Sequence, residues 1–130
     1  AEVRAGAAPA LVRARYQAHA GALLAGARWD LCGGEELAAI AEALGGPALA
    51  AILERLAWEG WQAARGLPDL LILPGPALVL PEAEPGALSD GLLLAEVKGP
   101  GDSVRDAQAA WFHLLLVAGA PVELWAVGRR

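Results

Sequence analysis

The run Leu92-Leu-Leu-Ala-Glu-Val-Lys98 constrains this chain more than any other stretch. An apolar run that turns to charge, apolar, charge and then stops at Gly99-Pro100-Gly101 reads as a strand. Side chains alternate across a strand, so Glu96 and Lys98 share one face and Val97 points to the other. One face is charged at its end, the other apolar.

A second short strand is expected at Leu70 to Leu73, buried because four apolar residues stand between Pro68 and Pro74-Gly75-Pro76. Asp69 then sits at that strand's mouth. Two carboxylates brought together at strand ends repel by roughly 4 kcal/mol at about 4 Å and an effective dielectric near 20. A site that holds Asp69 and Glu96 together therefore needs a cation. Hard oxygen ligands, with the Val97 backbone carbonyl as a third, suit Mg²⁺ or Mn²⁺ better than zinc. Lys98 would stand beside the metal, placed to orient an attacking water and to offset charge on a phosphate.

The segments Gly66-Leu-Pro-Asp69, Glu96-Val-Lys98-Gly-Pro100 and Ser103 with Gln108 and Trp111 resemble the VRR-NUC branch of the PD-(D/E)XK nuclease superfamily. Within that branch the chain is most similar to the C-terminal nuclease domains of the Fanconi-associated nuclease family. The likeness extends upstream through Trp29-Asp30, Leu44-Gly-Gly-Pro47 and Arg55-Leu-Ala57, and downstream through Gly119 and Val122-Glu123, so it covers most of the chain. It implies a restriction-endonuclease-like mixed sheet flanked by helices. It also implies DNA as partner in branched, flap or cross-linked form, a nuclear location and an acidic metal ligand from an upstream helix. No glutamate here matches that last position. Arg65 stands where the family more often has its arginine one residue further from the glycine, at Ala64.

The chain has 130 residues, one domain by the usual prior, with residues 1–65 read as its helical N-terminal part and 66–130 as the catalytic core. Hydrophobic residues make up 56%, an excess that suggests a neighbour in a longer protein. The start on Ala1 without any methionine gives the same expectation. No apolar run approaches a membrane span before Pro, Gly or charge interrupts it, so no membrane partner is expected. Cys32 is a lone cysteine, which excludes an internal disulfide and fits a reducing compartment. It reads as a small buried hydrophobe. The net charge of −5 weighs against a nucleic-acid partner, but local arginines decide contact. Arg65, Lys98 and Arg105 lie near the proposed site in sequence.

Helices are expected over Pro9 to about Ala25, over Glu35 to Leu44 with Gly45 closing it, and from Gly46-Pro47 onward with Leu49, Ile52, Leu53 and Leu56 as its apolar face. His19 has no second ligand at zinc spacing and reads as a surface or structural histidine. Glu54 and Glu59 read as solvated helix charges before they read as ligands. The Pro- and Gly-rich stretch Pro74 to Gly91 reads as a surface loop, with a short extra strand at Leu78 to Leu80.

After Gly101 a helix is expected with Ser103 as N-cap and Asp106 completing a capping box. Val104, Gln108, Trp111 and Leu115 form its stripe. Gln108 is either a site residue supporting Lys98 and Glu96 or a packing glutamine bonded to backbone. Trp111 reads as core and His113 as exposed. Val122 to Val127 forms the last strand, joined to the Glu96 strand by a helix long enough for a parallel connection. The order makes an α/β fold with a mixed sheet.

The function expected is a metal-dependent DNA phosphodiesterase, with Asp69, Glu96, Lys98 and Gln108 as site residues and Asp69, Glu96 and the Val97 carbonyl as metal ligands. By the resemblance it would be a structure-specific 5′ flap endonuclease and 5′–3′ exonuclease in cross-link repair, working with other domains of a full-length chain. The alternatives are an inactive nuclease fold kept for DNA or protein binding, and a purely structural domain in which Glu96 and Lys98 are an exposed strand pair.

Overall fold

The structure, a computed structural model, describes residues 1–23, 29–73 and 92–128. The expected loop from Pro74 to Gly91, with its extra strand at Leu78 to Leu80, lies outside the described residues. The chain packs as two compact units, Ala1–Ala50 and Ala51–Arg130.

In the first unit a short helical turn, Val3–Ala7, runs into α1, Ala8–His19, with Pro9 in the first helical turn where its missing N–H costs nothing. α1 stops at His19, short of the expected Ala25, and Leu23 is fully exposed beyond it. Tyr16 of α1 meets the Trp29 ring edge-on at 5.5 Å, and Arg13 pairs with Glu35 at 2.9 Å. His19 is exposed beside Arg15, Tyr16 and Trp29, an aromatic and basic setting and not a ligand cluster. Cys32 is half-buried, less enclosed than a small core residue. Desolvation first, then the Glu36 carboxylate beside it, raises its thiol above the ordinary range.

α2, Gly34–Glu59, comprises both expected helices, joined across a kink. The expected break falls at Gly45, whose φ 73° and ψ 156° suit a residue without Cβ. No membrane span is expected from the sequence. As one helix, α2 does reach that length and apolarity by composition, with an 18-residue window of mean hydropathy 1.5. The kink at Gly45 divides it into segments of about 16 and 21 Å at 1.5 Å per residue. The expected apolar face of the second segment is only partly covered: Leu49, Ile52 and Leu56 are half-buried and Leu53 is exposed.

The second unit holds the sheet, in the order β1-β2-β3. β1, Leu70–Ile72, pairs antiparallel with β2, Leu93–Lys98, which pairs parallel with β3, Val122–Ala126. The crossover is α3, Asp106–Val117, as the spacing predicts. β2 is the central strand and carries the core: Leu93, Leu94 and Ala95 are buried, as are Trp111 and Leu115 of α3. β1 was expected to be buried and is not, since Leu70 and Leu71 are about two-fifths exposed on what is, among the described residues, an edge strand. Its apolar run reports a face that this unit's own helices leave uncovered.

A 3₁₀ helix, Trp61–Gly66, which the sequence pattern did not predict, packs against α3. The α3 cap also differs from expectation. Asp102 accepts the Gly99 N–H at 2.9 Å and donates its own N–H to the Gly99 carbonyl at 3.1 Å, closing a turn. Ser103 and Val104 follow that turn as exposed residues outside the helix, so the N-cap is Arg105 and the first helical residue is Asp106.

Candidate active site

Glu96 is the one buried acid of the described core, 2% exposed at the centre of β2. An ionised carboxylate there requires partners. Lys98, two residues on and so on the same face, places Nζ 2.9 Å from Glu96 Oε1. Gln108, one turn into α3, donates from Nε2 to the same oxygen. Its Oε1 accepts from Lys98 Nζ at 2.9 Å and from the Arg105 N–H at 3.0 Å. The amide orientation is thus determined: only with Oε1 toward the lysine and Nε2 toward the carboxylate are all three bonds satisfied. Gln108 thus bonds both to the Glu96 and Lys98 side chains and to backbone at Arg105.

Glu96 Oε2, by contrast, is buried with no hydrogen-bond partner among the described residues. A carboxylate oxygen left bare in a low-dielectric setting is costly, by about 1–3 kcal/mol or more for a charged group. A cation is one partner that would satisfy it.

Asp69 reaches the same strand from the other side. Its Oδ2 accepts the Val97 N–H at 3.1 Å, which fixes the carboxylate next to Glu96 in sequence register. The strand pairing explains why this amide is available. Leu94 N–H donates to the Pro121 carbonyl and the Lys98 carbonyl accepts from Val127 N–H, so even-numbered residues of β2 turn their backbone groups to β3. Val97 therefore turns its N–H and C=O toward β1. Carrying the Leu70↔Ala95 register two residues on sets Pro68 opposite Val97, and proline has no N–H to give. The ladder offers the Val97 carbonyl no donor, on the side where Asp69 lies.

The loop that carries Asp69 is held on α3 by shape. Gly66 is buried, and a Cβ there would lie 2.6 Å from the Ala107 carbonyl oxygen and 2.7 Å from Trp111 Cδ1. Only glycine lets the two backbones approach this closely. Trp111, fully buried, donates from Nε1 to the Ala63 carbonyl at 2.7 Å, and the Arg55 guanidinium lies 4.5 Å over its ring. One helix, α3, thus fixes Gln108 from one turn and the Asp69 loop from the next.

The donor set fits a hard divalent cation: the unpartnered Glu96 Oε2, the Asp69 carboxylate and the Val97 carbonyl are all oxygens. Among the described residues no group of three or more His, Cys, Asp or Glu is placed to hold a metal ion. Glu59 is paired with Arg55 at 3.1 Å and Glu54 also has a partner, so neither is spare for this role. His113 is exposed, as expected. Asp102 and Arg105 were missed as supports of the site. The sequence did carry a signal for the first, an Asp directly after Gly-Pro-Gly, which favours a turn closed by its own carboxylate.

Known proteins resemble this chain over nearly its whole length. The VRR-NUC domain family model matches residues 4–128. Fanconi-associated nuclease 1 homolog from Oryza sativa subsp. japonica is 31% identical over 126 residues, covering 97% of this chain and 12% of the rice protein. Fanconi-associated nuclease 1 from Ailuropoda melanoleuca is 32% identical over 116 residues, 88% of this chain and 10% of that protein. The chain thus spans about a tenth of the length of these relatives. A crystal structure of paFAN1 bound to 5′-flap DNA with a 2-nt flap and a gap superposes over 99% of this chain and 22% of its own, with a TM-score of 0.69 at 27% identity.

Proposed function

From the premise that the chain belongs to the VRR-NUC domain family, we propose that it is the nuclease domain of a longer DNA-repair protein and hydrolyses DNA phosphodiesters with Mg²⁺ or Mn²⁺. The observation that carries this reading is the buried, unpartnered Glu96 Oε2 on a strand whose next amide holds Asp69. Asp69, Glu96 and the Val97 carbonyl would hold the ion. When bound, such a cation lowers the pKa of its water and offsets charge on the phosphate.

The protein's own residues do the rest. An ammonium has three N–H donors, and Lys98 spends two on Glu96 and Gln108. The third is left to hold a water or a phosphate oxygen beside the carboxylates. Gln108 acts through these neighbours as a positioning residue, keeping the lysine from rotating away. The shape of the pairing also limits water around Glu96, so each of these charges acts at a lower effective dielectric than in bulk.

For substrate and place we propose a 5′ flap endonuclease and 5′–3′ exonuclease on branched or cross-linked DNA, in the nucleus, with further domains of the whole protein gripping the duplex. The flap-bound structure of a relative and the length of the curated relatives support this. The test is cleavage of end-labelled 5′-flap DNA with Mn²⁺, Mg²⁺ or EDTA. Wild type should cut only with metal, and Asp69→Ala, Glu96→Gln and Lys98→Ala should each lose at least about 10²-fold, as for loss of one preorganised charge-stabilising group. Binding of the flap with no cleavage under any metal would instead favour an inactive DNA-binding module.

A further inference from the structure

We infer that Trp61 and Arg65 form a docking platform for one unpaired nucleotide of the substrate, the base stacking on the indole and its phosphate meeting the guanidinium. This rests on the nuclease reading and specifies how that site takes its strand.

Trp61 opens the 3₁₀ helix and is 79% exposed, an unusual position for the largest apolar side chain. The helix beneath it is not loose. Its Ala63 carbonyl is bonded by the buried Trp111, and Gly66 at its end is locked against Ala107. The indole is thus presented on a fixed base. Trp61, Gln62, Ala64 and Arg65 line one open pocket, so the aromatic face, an amide and a cation are available from one side.

Charge selects the occupant. Among the described residues Arg13 and Arg55 are each paired with a glutamate and Lys98 with Glu96, while exposed Arg65, like Arg15 and Arg105, has no carboxylate partner, and of these three Arg65 alone shares a pocket with Trp61. On a chain of net charge −5, a bare guanidinium beside a bare indole suits a ligand that is both anionic and aromatic. Stacking also requires a base outside a duplex, which commits the platform to a single-stranded segment. Only Gly66, Leu67 and Pro68 separate Arg65 from Asp69, so a nucleotide seated here lies on the same rigid support as the carboxylates.

The test measures anisotropy of a labelled oligothymidine of about eight nucleotides, within the usual single-strand site size, in EDTA so that nothing is cut. Trp61→Ala should weaken binding roughly ten-fold while Trp61→Phe stays within about two-fold of wild type, since a phenyl ring still stacks. Arg65→Ala should weaken binding and lower the salt dependence by about 0.7 in log–log slope, one single-strand phosphate contact. In Mn²⁺-dependent flap cleavage, Trp61→Ala should raise KM with kcat little changed. If wild type cleaves the flap while Trp61→Ala binds and cleaves as wild type does, the platform is wrong and the nuclease reading stands. Equal losses in Trp61→Ala and Trp61→Phe would also overturn it, as the surface would then serve another partner through shape. If wild type neither binds the oligonucleotide nor cleaves any flap with metal, both readings fall.

Discussion

Lys98→Met isolates the electrostatic logic of the site, because methionine keeps much of the stem's bulk and removes the charge. Glu96 is 2% exposed and the lysine side chain 13% exposed, so the pair is largely screened from water. Taking one partner from a buried pair costs about 3–5 kcal/mol, since the other charge is left uncompensated. The lower end applies here, because Gln108 still donates to Glu96 Oε1 and Lys98 retains some access to solvent. Removing both charges, in Lys98→Met with Glu96→Gln, should recover much of the loss, because no ion then remains to be buried. The assay is urea unfolding of the four proteins in EDTA, read by far-UV circular dichroism. A coupling energy of at least about 1 kcal/mol is expected, well outside the few tenths that independent sites show. Repeating the series with Mn²⁺ should restore Lys98→Met more than the other proteins, as a ligand at about 100 times its Kd adds roughly 2.7 kcal/mol to a native state that binds it. Strictly additive losses, or a double variant less stable than either single one, would refute the claim that Lys98 compensates a buried carboxylate.

Gly66→Ala places a methyl against the Ala107 carbonyl, an atom of helix backbone that cannot swing aside. Overpacking of this kind should cost about 1–3 kcal/mol in urea unfolding, and metal affinity should fall with it because the Asp69 loop is displaced. Unchanged stability and metal affinity would show that α3 does not position that loop. The Cys32 thiol is held above its ordinary pKa by desolvation and then by Glu36, so less thiolate is present at any given pH. Glu36→Gln removes one of the causes, and iodoacetamide should then alkylate Cys32 faster at pH 8; slower alkylation would contradict the assignment.

The central strand and the parallel crossover could be read from sequence because each has a local signal. Leu92 to Lys98 passes from apolar to alternating charge and ends at Gly-Pro-Gly, and twelve helical residues follow before the next apolar run. Glu96 and Lys98 fell together because a strand has a period of two. Gln108 was only half legible, since spacing puts it on the stripe with Trp111 and Leu115 but does not say which side of the stripe meets the lysine. Burial of β1 was misread because an apolar run states what a strand could bury, not whether a partner layer is present. The shift of the cap from Ser103 to Arg105 has a similar origin. Ser103 and Asp102 are both good capping residues, and their competition is decided by Gly99, whose amide the Asp102 carboxylate takes. The 3₁₀ helix at Trp61–Gly66 has too few residues to show a period. Its place depends on Trp111, roughly fifty residues later, reaching Ala63.

Metal binding is the claim on which the rest depends, and diffraction from crystals soaked in Mn²⁺, recorded near the manganese edge, tests it most directly. One anomalous peak is expected within about 2.0–2.6 Å of Glu96 Oε2, of an Asp69 carboxylate oxygen and of the Val97 carbonyl oxygen, as for hard cations on oxygen ligands. A fully occupied peak elsewhere with none between these three, or a Glu96 Oε2 satisfied by a protein donor in the presence of millimolar Mn²⁺, would contradict it.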